Sequence, residues 1–84
     1  MQPMTKVEVS HELLKFIQSN LVDESLVLTS KTQLQNEAGI DSMAMVEIIL
    51  FIERKFDVTF SDQELNPEIF HSVEVLAEAV VKHL

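Results

Sequence analysis

The chain of 84 residues has no cysteine, a single glycine, only two prolines and six basic residues against fourteen acids. Without cysteine there is no disulfide framework, no thiolate metal site and no thiol nucleophile, so any sulfur chemistry must arrive on a cofactor. The missing cysteine also fits a reducing compartment. Few glycines and prolines, and no strand-length segment of clear alternation, argue against hairpins and sheets and for an all-helical domain. The shortage of cations leaves a net charge of −8, spread over both halves. Such a surface repels phosphate backbones, so nucleic acid and anionic membranes are poor partners, and proteins with basic patches are better ones. No apolar run is long enough to span a bilayer: the longest, Met43 to Ile52, is interrupted by Glu47. The start lacks the apolar segment of a signal peptide, and a cytoplasmic monomer without membrane insertion is expected. The length allows one domain with one thin core, here residues 5–84, after a disordered stretch at residues 1–4.

Thr5-Lys6-Val7-Glu8 has capping-box form, so a first helix begins near Thr5. Val9, Leu13, Phe16, Ile17 and Leu21 follow at spacings of three and four and form its buried stripe, with Lys6, Glu8, Glu12 and Lys15 on the solvated side. From Leu21 to Ile40 the periodicity fails, which predicts a long loop pinned by Leu26, Leu28 and Leu34, with a short helical turn that stops at Gly39. A second helix is predicted from Ser42 to Phe56 with Asp41 as N-cap. Its residues 43–52 are apolar at nine of ten positions, more than one buried stripe requires. Met45, Ile49, Ile52 and Phe56 are assigned to the core; Met43, Val46, Leu50 and Arg54, beside Glu47 and Glu53, form a second face, partly exposed and available to other proteins. Asp57 to Phe60 reads as an extended connection. Ser61-Asp62-Gln63-Glu64 and Asn66-Pro67-Glu68 predict short turns, and Ser72 caps a last helix with Val73, Leu76, Ala77, Val80 and Leu84 inward.

Ser42 stands where unpaired amides and the positive end of a helix dipole favour an anion, so the position suits a phosphoester. By itself, Asp-Ser before a helix means only a capped helix start, and composition and periodicity do not overturn that reading. His11, His71 and His83 show no ligand spacing, Glu53 and Asp57 mark no paired acid and base, and Met1 and Met4 fall in the frayed start.

Gly39-Ile40-Asp41-Ser42-Met43, followed by Val46-Glu47-Ile48 and Phe56-Asp57, resembles the signature of acyl and peptidyl carrier proteins. The Pro67-Glu68-Ile69-Phe70-His71-Ser72-Val73 approach to the last helix resembles that family too, and the likeness runs from about Thr5 onward. It implies an all-α, acyl-carrier-protein-like four-helix bundle, with three principal helices, one short helix and a long first loop. It also implies that Ser42 receives 4′-phosphopantetheine from coenzyme A through a phosphopantetheinyl transferase, and that the arm's thiol carries an acyl or aminoacyl group as a thioester. Asp41 is then both N-cap and transferase contact. Met43, Val46, Glu47 and Leu50 match partner-facing positions; contact is favoured for Met43 and Glu47, while Val46 and Leu50 are open between contact and core. The implied partners are the transferase, a loading ligase or acyltransferase, and downstream biosynthetic enzymes, and the chain is a carrier, not an enzyme. Glu47 and Glu53 are balanced by Arg54 and Lys55, unlike the acidic second helix of fatty acid synthesis carriers. With Asp-Ser-Met, this is more similar to discrete carriers such as D-alanyl or natural-product pathway carriers. The rival readings are a helical interaction module without a prosthetic group and a small hydrolase with Ser42 as nucleophile, which lacks a nearby histidine and a recognisable oxyanion-hole pattern.

Overall fold

The computed structural model describes residues 4–84. Their elements are α1 (Lys6–Asn20), α2 (Ser42–Phe56), a 3-10 helix (Pro67–Phe70) and α3 (Val73–Lys82), with no strand among the described residues. This is the all-helical bundle with a long first loop that the sequence predicts. Of the expected disordered start, residues 1–3 lie outside the described residues, whereas Met4 packs against the core.

Each helix begins where a short polar side chain replaces a missing backbone acceptor. Thr5 and Glu8 form the reciprocal capping box of α1: the Thr5 Oγ1 accepts from the Glu8 amide at 3.2 Å, and the Glu8 Oε1 accepts from the Thr5 amide at 3.0 Å. Asp41 caps α2, Asn66 caps the 3-10 helix ahead of Pro67, and Ser72 caps α3 through the Val75 amide at 3.3 Å. The end of α2 falls on Asp57, which adopts a left-handed conformation with φ of 55°, one of the residue types that visit this region most readily.

The core joins Val9, Leu13 and Ile17 of α1 to Ile48, Ile52 and Phe56 of α2 and Val73, Leu76, Ala77 and Val80 of α3. Three of the expected assignments change. On α2 Ile48 is fully buried along with the expected Ile52, while Met45 and Ile49 are half-buried against the core. Because this helix is apolar nearly all round, periodicity alone did not select which apolar row turns inward. At the end of α3, Leu84 is exposed, beyond the last helical turn, and does not extend the buried stripe. Glu12, expected in solvent, is half-buried and pairs with Lys55 of α2 at 3.1 Å, so it ties the first two helices together. Phe16 and Phe51 add a stacked ring pair between the same helices, with centroids 4.2 Å apart.

The loop from Leu21 to Ile40 packs down on the bundle. Leu34 is fully buried, Leu28 packs against the core and Leu26 is half-buried. Two backbone bonds fasten the loop across the chain: the Leu34 amide donates to the His71 carbonyl at 3.1 Å, and the Glu74 amide donates to the Ser30 carbonyl at 2.9 Å. The predicted turn before Gly39 is present. The Glu37 and Ala38 amides donate to the Gln33 carbonyl at 2.8 and 3.2 Å, and Gly39 reverses the chain at φ of +69°. The reversal lets the Ile40 amide reach the Leu34 carbonyl at 2.9 Å. Ile40 is thereby buried, and the next two residues are delivered to the surface at the start of α2.

Candidate functional site

Gly39 and Ile40 decide where the site sits. Burial of the Ile40 side chain anchors the chain immediately before α2, so Asp41, Ser42 and Met43 emerge together as an exposed helix start. The Asp41 Oδ1 accepts from the Ala44 amide at 2.9 Å, and the Asp41 carbonyl accepts from the Met45 amide at 2.9 Å. Among the described residues, the amides of Ser42 and Met43 have no acceptor, and the first turn of α2 holds no acidic residue. An exposed hydroxyl therefore stands at the first helical position, beside two unpaired N–H groups and the positive end of the dipole. This arrangement fits a phosphoester, because phosphate oxygens there meet unpaired N–H donors at the positive end of the helix. The adjacent Asp41 carboxylate is oriented by its bond to Ala44 rather than left to rotate.

The second face of α2 is a surface. Met43 is 80% exposed, Val46 59% and Leu50 46%, which excludes the core reading left open for Val46 and Leu50. Glu47 is exposed beside them. Two shallow features flank this ridge. On one side, Met45, Val46, Ile49 and Leu50 of α2 and Leu65 and Phe70 of the following segment line an apolar groove of about 230 Å³. On the other, Glu47, Leu50 and Arg54 meet Phe16, Asn20 and Phe51 around a cleft of about 290 Å³. Met43, Val46 and Leu50 thus form an exposed ridge that runs from the Ser42 end along α2. Sequence reasoning missed Leu65 and Phe70 as walls of the groove. Their signal was weak, since neither belongs to a periodic pattern.

No group of three or more His, Asp or Glu side chains among the described residues is arranged to hold a metal ion, and no helix there is long and apolar enough to cross a membrane. The site itself offers an exposed hydroxyl, a capped helix start and an apolar ridge.

Comparison with known proteins identifies the family of the chain. A family model described as the phosphopantetheine attachment site matches residues 12–80. Aminoacyl carrier protein 1 of Bradyrhizobium diazoefficiens is 33% identical over 79 residues, which cover 92% of this chain and 87% of that protein. Aminoacyl carrier protein 2 of the same organism is 27% identical over 81 residues, covering 95% and 91%. The mitochondrial acyl carrier protein 2 of Arabidopsis thaliana is 28% identical over 81 residues, covering 95% of this chain and 62% of its own length. Proteins of this family are carriers rather than catalysts, and they work with a phosphopantetheinyl transferase and biosynthetic enzymes. The chain belongs to the phosphopantetheine-attachment family, as an acyl or aminoacyl carrier protein that bears a 4′-phosphopantetheine prosthetic group.

Proposed function

We propose that Ser42 is the attachment point, that the cargo is an amino acid held as a thioester, and that the pathway is a specialised one rather than housekeeping fatty acid synthesis. The observation that carries the site is the exposed Ser42 hydroxyl at the first position of α2, beside two unpaired amides and an oriented Asp41. In the transfer from coenzyme A, the Ser42 Oγ forms the new bond to phosphorus and the phosphoanhydride breaks. Adenosine 3′,5′-bisphosphate leaves, and the hydroxyl proton passes to a base on the transferase. Asp41 holds the helix start with one oxygen and presents its exposed carboxylate to the transferase. The bound arm supplies the thiol that this cysteine-free chain lacks.

Met43, Val46, Glu47 and Leu50 form the face that the transferase, the loading ligase and the downstream enzymes meet. Two charges of each sign leave α2 neutral within a chain of net charge −8, so docking rests on apolar contact more than on Coulomb steering. This neutrality supports specialised partners, and the two aminoacyl carrier proteins among the relatives support an amino acid cargo delivered by an adenylating ligase. Tethering then raises the effective concentration of the cargo at each successive enzyme. A cytoplasmic monomer suits this role.

The test is the intact mass after incubation with coenzyme A and a broad-specificity phosphopantetheinyl transferase. A gain of one phosphopantetheine is expected for the native chain and none for Ser42→Ala; a gain that survives the substitution removes Ser42 as the site. The loaded protein should also be a far poorer substrate than a fatty acid synthesis carrier for a malonyl transferase of that pathway, and equal rates would overturn the specialised role.

A further inference from the structure

The two features that flank the α2 ridge differ in chemistry. The groove walled by Leu65 and Phe70 is lined by apolar side chains only. The cleft of about 290 Å³ on the other side mixes ring carbon with polar groups. There Phe16 of α1 stacks on Phe51 of α2, and Asn20, Glu47 and Arg54 stand around the pair. The Asn20 Nδ2 donates to the Phe16 carbonyl at 2.9 Å, which orients the side-chain amide and leaves its Oδ1 as the available acceptor. Among the described residues, neither Glu47 nor Arg54 enters an ion pair, whereas the other cation of α2, Lys55, is held by Glu12 at 3.1 Å. The cleft therefore presents a carboxylate, an amide oxygen and a guanidinium that the fold itself does not use.

We infer that this cleft is a resting site for the aminoacyl end of the chain's own arm, with Glu47 and the Asn20 Oδ1 receiving the α-ammonium group and Arg54 donating to a carbonyl of the arm or thioester. The inference rests on the reading of an amino acid cargo tethered to Ser42. Reach permits it: from phosphorus to sulfur the arm is about thirteen bonds, or about 15 Å when extended at the advance per bond of a polypeptide chain. Along α2, at about 1.5 Å per residue, Glu47 lies about 8 Å and Leu50 about 12 Å beyond Ser42. Charge decides between the two features. An aminoacyl thioester carries an ammonium group, which would lose its hydration without a partner in the all-apolar groove but meets a carboxylate in the cleft. Glu47 is exposed, so the preference is modest: the ammonium group should favour occupancy about two- to fivefold over the same cargo without it. Glu47 and Leu50 also belong to the docking face, so a partner that covers them displaces the resting cargo.

The experiment loads Ser42 with a broad-specificity phosphopantetheinyl transferase and coenzyme A analogues whose sulfur is replaced by NH, so that a stable amide holds the cargo. Alanyl and propionyl cargoes then differ only in the ammonium group, and intact mass confirms one arm on each chain. At about pH 6.5, where an α-amino group is protonated, the ring resonances of Phe16 and Phe51 and the methyl resonances of Leu50 are compared with those of the chain bearing the arm alone. They should move about two- to fivefold further with alanyl than with propionyl cargo, while Leu65 in the groove and Leu13 in the core stay the same with both. Glu47→Gln should return the alanyl form to the propionyl positions, and Glu53→Gln, which does not line the cleft, should leave the difference intact. Equal movement with the two cargoes, movement at Leu65 instead, or a difference that survives Glu47→Gln overturns the resting site while the attachment reading stands. A chain that gains no arm fails the attachment reading and removes the resting site with it.

Discussion

The two faces of α2 are separated by paired truncations, Ile48→Ala and Leu50→Ala. The residues are two positions apart on one helix and lose nearly the same aliphatic bulk, but Ile48 is fully buried and Leu50 is 46% exposed. Removing Ile48 deletes its transfer energy and leaves a cavity among α1, α2 and α3 side chains, which costs about 2–5 kcal/mol. Removing Leu50 gives up only partial burial and opens no enclosed void, so the expected cost is about 1 kcal/mol or less. A domain of this length has a total stability of about 4–12 kcal/mol, so Ile48→Ala takes a large share of it and Leu50→Ala a small one. Urea unfolding followed by helical circular dichroism at fixed pH measures both. A transferase assay on the folded fraction then measures the reverse pattern, in which Leu50→Ala slows phosphopantetheine transfer and Ile48→Ala does so little once folding is allowed for. Equal destabilisation by the two substitutions would refute the division of α2 into a core row and an exposed ridge.

Further outcomes follow from the caps, the turn and the surface carboxylates. Gly39→Ala should cost about 1–2 kcal/mol although nothing lies within 4 Å of the added methyl group, because the penalty is the φ of +69° and not a clash; thermal unfolding reads it. Ser72→Ala should cost about 0.5–2 kcal/mol by removing the acceptor for the Val75 amide at a buried helix start, and Ser72→Asp should recover part of the loss. Glu12 and Glu78 titrate below the usual carboxylate range, each first through its hydrogen bond to a lysine, Lys55 and Lys6 respectively. Glu64 does so first through the Ser61 amide. Depressed carboxyls contribute stability that is present above their unfolded value, about 4.3, and that is lost as pH falls through the folded values. The urea midpoint should therefore drop as the solution is acidified below about pH 4.5. Glu12→Gln with Glu78→Gln should flatten that drop.

The helix starts and the turn at Ser61 were legible because the groups that make them are three residues apart: Thr5 with Glu8, Asp41 with Ala44, Ser72 with Val75 and, at the turn, Ser61 with Glu64 are neighbours before any folding occurs. The candidate site was legible for the same reason, since Gly39, Asp41 and Ser42 act within a few residues of one another. The choice of inward row on α2 was not, because Met45, Ile48, Ile49 and Leu50 are chemically near-equivalent and only the positions of α1 and α3 distinguish them. Leu84 was likewise assigned inward from spacing, but the helix that gives spacing its meaning had already ended at Lys82.

An all-helical, acidic, cysteine-free domain, the caps at which its helices begin and an unusually apolar helix entered at Ser42 are legible from the chain before it folds. These are local bonds, composition and periodicity, which act at short range along the chain. Packing between distant segments turns Val46 and Leu50 outward, stacks Phe16 on Phe51, makes Leu65 and Phe70 walls of a groove, and brings Glu64 to His83. Each of these depends on residues distant in sequence, and the packing of α1 and α3 against one face of α2 is what leaves the other face exposed beside Ser42.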